Sequence, residues 1–131
     1  GAKVREGFQE LILQPQSDLP HFRHFLSEIG WEIVREEMIK EDGKFYPMMK
    51  AVRNDSGEKI VYTEEEAWFG PLLLEKRHPV LKEYLLREEM IRKKILAGLS
   101  GAESVSAKTR LAEVKEEMEL IHTALKRYES I

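Results

Sequence analysis

The feature that most restricts the fold is a heptad repeat of apolar residues near the C-terminal end of the sequence. Its members alternate steps of three and four residues, and they are Leu111, Val114, Met118, Ile121, Leu125 and Tyr128. Such a repeat places its apolar side chains on a single helix face, which a second helix must cover. A long helix over about residues 106–128 with a packed partner is therefore predicted.

The partner helix is predicted immediately upstream, over about residues 79–99. Apolar residues recur there on one side of a helix, at Leu81, Tyr84, Leu85, Ile91 and Ile95. Glu88 falls on the same side and interrupts the series. A bend between the two helices is favoured by Gly98, Ser100 and Gly101. Because this connection is short, the two helices are predicted to form an antiparallel coiled-coil hairpin.

The first half of the sequence begins with the pattern of a strand followed by a helix. Three consecutive aliphatic residues at positions 11–13 indicate a short strand buried on both faces, which Pro15 ends. Apolar residues at helical spacing follow, with Ser17 or Asp18 as the predicted N-cap and Gly30 as the stop. A buried strand of this kind needs a helix on each face, and this segment supplies one.

Two further strands are predicted over about residues 31–39 and 45–53, joined as an antiparallel hairpin by the turn at residues 41–44. Thr63 and Glu66 then have the spacing of a capping box, which predicts the start of a helix. The chain therefore divides into a mixed strand and helix part, residues 1–62, and an all-helical arm, residues 63–131.

Composition excludes several classes of protein. The chain contains no cysteine, which excludes disulfides, thiolate metal sites and a cysteine nucleophile, and which fits a reducing compartment. No apolar run approaches the length of about 20 residues that a membrane span needs, so we expect no membrane partner and a cytoplasmic protein. The net charge of -3 neither indicates nor excludes binding of nucleic acid, because local patches of charge matter more for such binding than the net charge.

The first part looks incomplete as a domain, because three strands and one long helix leave a sheet edge and a sheet face uncovered. Either the chain self-associates through that edge or through the hairpin, or these residues are the tail of a larger α/β domain. A small α+β domain with the helical hairpin as its lid is the alternative.

The order of several short motifs resembles the C-terminal part of the bacterial tRNA (adenine(22)-N1)-methyltransferase family. The motifs are Leu11-Ile12-Leu13-Gln14-Pro15, Trp31-Glu32-Ile33-Val34, Glu41-Asp42-Gly43-Lys44-Phe45-Tyr46 and Trp68-Phe69-Gly70-Pro71-Leu72, followed by the charged hairpin. The resemblance implies an α+β fragment: the last strands of a Rossmann-like methyltransferase sheet, one parallel strand plus an antiparallel hairpin, and then a coiled-coil hairpin.

The resemblance also implies S-adenosylmethionine as the cofactor of the intact enzyme and tRNA as its partner. The glycine-rich turn that such an enzyme needs after its first strand is missing, since no two glycines here are separated by one residue. We therefore expect this chain alone to bind no cofactor and to be inactive, while it completes the sheet and supplies an arm that engages tRNA.

Two sets of residues are candidates for contact with substrate. Gln14 and Pro15 follow the predicted parallel strand, and ligands of open α/β sheets bind beyond such strand ends. Cations near the bend of the hairpin are candidates for RNA phosphates. They are Arg87, Arg92, Lys93, Lys94, Lys108, Arg110 and Lys115. An ordinary charged surface, interspersed with glutamates, is an equally weighted interpretation of the second set.

The other polar and aromatic clusters are better explained by structure. His21 and His24 have helical spacing but no evident third metal ligand, so no metal site is predicted. The glutamates at 36–37 are predicted to point to opposite faces of a strand, and those at 64–66 to lie in the first turn of a helix, where acidic residues favour the helix dipole. Neither set is therefore predicted to be a pair of catalytic carboxylates. Trp68 to Pro71 is predicted to be an elbow, with an aromatic platform for a base as the alternative. The alternative function for the whole chain is a non-enzymatic coiled-coil interaction module.

Overall fold

A computed structural model describes residues 2–4, 10–13, 18–56 and 58–129. The elements are β1 Ala2–Val4, β2 Glu10–Leu13, α1 Leu19–Glu28, β3 Trp31–Glu41, β4 Lys44–Arg53, α2 Glu64–Phe69, α3 Pro71–Glu75, α4 Pro79–Leu99 and α5 Val105–Lys126. They fall into two compact units, Gly1–Leu81 and Lys82–Ile131. The described strands all lie before Thr63 and the helices α2 to α5 follow it, while the division between compact units lies inside α4.

The described strands form one sheet in the order β1-β2-β4-β3. The strand β4 pairs antiparallel with both β2 and β3, so β2 and β3 run in the same direction without being neighbours. Among the described strands, β2 has only antiparallel partners. The parallel strand predicted at residues 11–13 concerns its neighbours in a complete methyltransferase sheet, and it stays a prediction. The other edge of β2 is covered by β1, a strand that sequence patterns did not predict.

The β3–β4 hairpin and the end of α1 follow the predicted turn chemistry. Asp42 and Gly43 have φ values of 52° and 76°, and they form a two-residue connection between strands that end at Glu41 and begin at Lys44. Gly30, with φ 80°, ends α1 and donates its amide to the carbonyl of Ser27.

A β-bulge in β3 decides which side chains of that strand are buried. Ile33 pairs with Ala51 and Glu36 pairs with Met49, while Val34 is the extra residue between them. Because Ala51 and Met49 are two residues apart, they share a sheet face, and the bulge therefore places Ile33 and Glu36 on that same face. Glu36 is consequently buried in the sheet unit.

The core of the sheet unit lies between α1 and the inner face of the sheet. Its buried members are Leu26, Ile33, Met49, Ala51 and Tyr62. The Tyr62 hydroxyl oxygen accepts a hydrogen bond from the Ile33 amide at 3.1 Å, and the Ser27 hydroxyl donates to the Ile60 carbonyl. These bonds attach the segment between β4 and α2 to the rest of the unit.

The bounds of the two long helices lie within two residues of those that the heptad patterns predict. Buried residues of α5 lie three and four apart, at Val114, Met118, Ile121 and Ala124. In α4, Leu85 is fully buried but Ile91 is 38% exposed, so the predicted seam of α4 is wrong at Ile91. Among the described residues, none of the helices is apolar over a length sufficient to cross a bilayer.

Candidate functional site

A buried ion pair joins α1 to β3 and holds the start of α3. Arg23 donates from Nε and Nη2 to Glu36 Oε2 at 3.2 and 3.0 Å, and both side chains are 1% exposed. Arg23 Nη1 also donates to the Ala67 carbonyl at 2.7 Å, while Glu36 Oε1 accepts from the Leu72 amide at 2.9 Å. We call these four residues the Arg23–Glu36 clamp. Because each charged group has several partners, the clamp fixes the position of α2 and α3 on the sheet.

Gly70 makes the junction between α2 and α3 possible. Its φ of 98° lies where side chains are strained, and a Cβ atom there would lie 2.7 Å from Glu36 Oε2. Only glycine allows the chain to pass this close to the buried carboxylate.

The segment from Trp68 to Pro71 is therefore an elbow of the sheet unit. Phe69 is 3% exposed, so its ring cannot stack on a nucleobase. Trp68 is half-buried, and its ring centroid lies 6.3 Å from that of Phe69 at an interplanar angle of 60°. The capping box that starts α2 is also confirmed, with Thr63 Oγ1 accepting from the Glu66 amide at 3.1 Å.

Sequence analysis missed the Arg23–Glu36 clamp, although one signal was available. Arg23 is a cation within the apolar series of α1, four residues after Leu19 and three before Leu26. A charge on that face needs a buried partner. The identity of the partner depended on the bulge at Val34, which strict alternation along β3 cannot predict.

A second polar cluster surrounds Glu37, at the start of α4. Lys76 Nζ lies 2.7 Å from Glu37 Oε1, and His78 Nε2 lies 3.2 Å from Glu37 Oε2. The hydrogen bond from Lys76 is the main reason why the pKa of Glu37 is lowered. His78 Nδ1 accepts from the Val80 amide at 3.1 Å, so His78 caps the helix and is the boundary residue that its position before Pro79 predicts.

The histidines of α1 do not form a metal site in the described part of the chain. His24 Nε2 lies 2.9 Å from Glu64 Oε1, which joins α1 to the first turn of α2. No group of three or more histidine, aspartate or glutamate side chains that could hold a metal ion occurs among the described residues. The other predicted candidates near the sheet, Gln14 and Pro15, lie outside the described residues.

Of the predicted RNA contacts, Arg92 has a different position from the others. Its side chain is 13% exposed, and its guanidinium binds Glu88 Oε1 and Glu117 Oε1, each at 3.0 Å. It occupies the seam position that was predicted for Ile91, and its charge is neutralised within the hairpin. We therefore assign Arg92 to the internal packing of the hairpin.

The remaining predicted cations are exposed but differ in their partners. They are Arg87, Lys93, Lys94, Lys108, Arg110 and Lys115. Arg110 Nη1 lies 3.3 Å from Glu113 and 3.5 Å from Glu117, so it is paired within α5. The structure shows no ion pair for Lys94, Lys108 or Lys115 among the residues that it describes. These lysines have the charge and exposure that a phosphate-binding surface requires.

Comparison with solved structures defines the class of protein. A Listeria monocytogenes protein described as uncharacterized has a TM-score of 0.83 and 25% identity, over 89% of this chain and 51% of that one. A Streptococcus pneumoniae protein solved in complex with S-adenosyl-L-methionine has a TM-score of 0.73 and 22% identity, over 89% of this chain and 47% of that one. At 22% identity, the similarity to the Streptococcus pneumoniae protein shows a shared fold. The crystal structure of the Bacillus subtilis M1A22 tRNA methyltransferase TrmK has a TM-score of 0.75 and 25% identity, over 88% of this chain and 51% of that one, so the fold is that of part of a Rossmann-like methyltransferase.

The sequence comparisons identify the family. The family model for tRNA (adenine(22)-N(1))-methyltransferase, TrmK, matches residues 2–123, so the chain belongs to this family. The tRNA (adenine(22)-N(1))-methyltransferase of Bacillus subtilis is 26% identical over 118 residues, which are 88% of this chain and 50% of that protein. This chain spans half or less of the length of the curated relatives that it matches.

Proposed function

We propose that this chain is the C-terminal portion of an S-adenosylmethionine-dependent tRNA (adenine-N1)-methyltransferase. The observation that carries the proposal is the family match over residues 2–123, by a chain that spans half the length of the Bacillus subtilis relative. In the intact enzyme, the strands β2, β3 and β4 would complete the methyltransferase sheet. The cofactor would be S-adenosylmethionine, the molecule in the Streptococcus pneumoniae complex.

The helical hairpin would be an arm that engages tRNA, packed as a coiled coil. Exposed lysines without ion pairs, Lys94, Lys108 and Lys115, support this role, because phosphates attract cations that no carboxylate neutralises. Lysine is a point charge that cannot read base edges well, so the arm would position the enzyme on the RNA.

A chimera tests the proposal for the intact enzyme. It joins the half of the Bacillus subtilis enzyme that this chain does not match to this chain, and the assay measures methyl transfer from S-adenosylmethionine to adenine 22 of a tRNA transcript. We expect transfer by the chimera and a loss of tRNA affinity when residues 82–129 are removed. A folded chimera that binds S-adenosylmethionine and transfers no methyl group would contradict the proposal.

The chain alone is expected to bind no S-adenosylmethionine, since its sequence contains no G-x-G motif to bring the backbone close to the cofactor. Isothermal titration calorimetry checks this, and a micromolar affinity for S-adenosylmethionine would contradict the expectation. Binding of tRNA by the chain should weaken steeply as salt is added. Salt-insensitive pairing with a protein helix would instead favour an interaction module.

A further inference from the structure

Two contacts between helices show how α4 and α5 lie against each other within the unit Lys82–Ile131. Glu89 Oε2 lies 2.9 Å from His122 Nε2, and Arg92 Nε donates to Glu117 Oε1 at 3.0 Å. Residue numbers rise along α4 while those of their partners fall along α5, so the helices are antiparallel. The first contact is on one side of the hairpin, and it identifies which residues share that side.

Helical geometry places five lysines on the side of the Glu89–His122 contact. Residues four or seven positions apart lie on nearly the same face of a helix with about 3.6 residues per turn. Counting in such steps from Glu89 along α4 and from His122 along α5 reaches Lys82, Lys93, Lys108, Lys115 and Lys126. All five are exposed, and we call them the lysine flank.

Most lysines of the flank have no carboxylate partner among the described residues, whereas the arginines on the other side of the hairpin are neutralised by glutamates. On that other side, Arg92 and Arg110 both bind Glu117, and they also bind Glu88 and Glu113 respectively.

On the lysine flank, the structure shows one ion pair among the residues that it describes, from Lys93 to Glu89 at 3.8 Å. Glu119 lies on the same face of α5 as Lys115, but cations remain in excess.

We propose that the lysine flank binds the phosphate backbone of structured RNA. This inference rests on the proposed function and identifies the surface that carries it out. From Lys108 to Lys126 the flank extends about 27 Å at 1.5 Å per residue. A row of this length can lie along the backbone of a tRNA stem, where lysines seven residues or about 10.5 Å apart can contact phosphates that are not adjacent.

Two charge-matched double variants of this chain test the inference. The first is Lys108→Glu with Lys115→Glu, on the lysine flank. The control is Lys44→Glu with Lys59→Glu, at the β3–β4 turn and in the segment between β4 and α2, and it changes the net charge by the same amount. None of these four lysines has an ion pair in the described part of the chain, so neither variant breaks one. Circular dichroism verifies the helices of each variant.

The measurement is the affinity for a tRNA transcript as a function of salt concentration. We expect the flank variant to bind at least tenfold more weakly at low salt, and to reduce the slope of log K against log salt by about 1 per lysine. The control should keep the wild-type slope. If the flank variant loses helix content, Lys108→Gln with Lys115→Gln replaces it, with a smaller loss in the same direction.

The outcomes separate the two proposals. Equal losses in the flank variant and the control would show that affinity follows net charge, and they would overturn the lysine flank without refuting an RNA-binding arm. If the unmodified chain showed no salt-dependent binding of tRNA, the arm itself would be refuted, and the flank with it.

Discussion

Replacing Glu36 by glutamine tests whether the Arg23–Glu36 clamp holds the sheet unit together. Glutamine keeps the volume and can still accept from the Leu72 amide, but it removes the charge opposite Arg23, whose side chain is 1% exposed. Removing one partner of a buried ion pair costs about 3–5 kcal/mol, because the remaining charge stays desolvated. Since the amide oxygen can keep part of the hydrogen bonding, we expect a loss of about 3 kcal/mol in the free energy of unfolding.

A double-mutant cycle separates the pair from its surroundings. Arg23→Met leaves the carboxylate of Glu36 buried and the Ala67 carbonyl without its donor, so it should cost a similar amount. The variant with both substitutions leaves no unpaired charge. It should therefore lose less than the sum of the two single losses, by a coupling energy of about 1–3 kcal/mol.

Tryptophan fluorescence during urea unfolding is the assay, because both tryptophans, Trp31 and Trp68, lie in the unit Gly1–Leu81. With a slope of about 1–3 kcal/mol per molar urea, the expected loss lowers the midpoint by about 1–3 M. The control Glu41→Gln, at an exposed position, should stay within about 0.5 kcal/mol of the wild type. A loss below about 1 kcal/mol for Glu36→Gln, or strict additivity in the cycle, would refute this account of the clamp.

Three further predictions concern backbone strain and pH. Gly70→Ala should cost about 2 kcal/mol or more, from strain at φ 98° and contact with the buried carboxylate, whereas Gly98→Ala in α4 should stabilise the helix by about 0.5–1 kcal/mol. The lowered pKa of Glu37 contributes stability that is present above its ordinary value of 4.5 and is lost as pH falls, so Lys76→Met should reduce that acid dependence. Burial raises the pKa of Tyr84 to about 12, so stability should fall as pH rises from 10 towards 12, and Tyr84→Phe should reduce the fall.

Each of these has its own measurement. Urea unfolding measures the change in the free energy of unfolding, followed by fluorescence for Gly70→Ala and by circular dichroism for Gly98→Ala. Equal changes in the two variants would contradict the close approach at Gly70. NMR titration follows the Glu37 carboxyl, where an unchanged pKa in Lys76→Met would show that the lysine is not the cause. Ultraviolet absorbance follows phenolate formation, where a Tyr84 that titrates at its ordinary value would argue against its burial.

Local chemistry in the sequence determined most of the secondary structure. The heptad of α5 and the Gly/Ser bend predicted two long helices whose observed bounds, Pro79–Leu99 and Val105–Lys126, agree closely with expectation. Turn residues at Asp42 and Gly43 and the capping box at Thr63 were equally predictive, because each satisfies its backbone groups within a few residues. Asp18 is the N-cap residue of α1, one of the two predicted, but it has φ 52° and its side chain makes no cap hydrogen bond.

Tertiary structure alone decided where the charges went. The bulge at Val34 places the Glu36 side chain on the buried face of the sheet, where it pairs with Arg23. The periodicity of the sequence does not predict such a bulge. In the same way, Arg92 entered the seam of the hairpin because Glu88 and Glu117 meet it there, while Ile91 stayed exposed. The physical reason is that helices, turns and caps depend on neighbours in sequence, whereas the burial of a charge depends on partners that lie 13 residues away for Arg23 and 25 for Arg92.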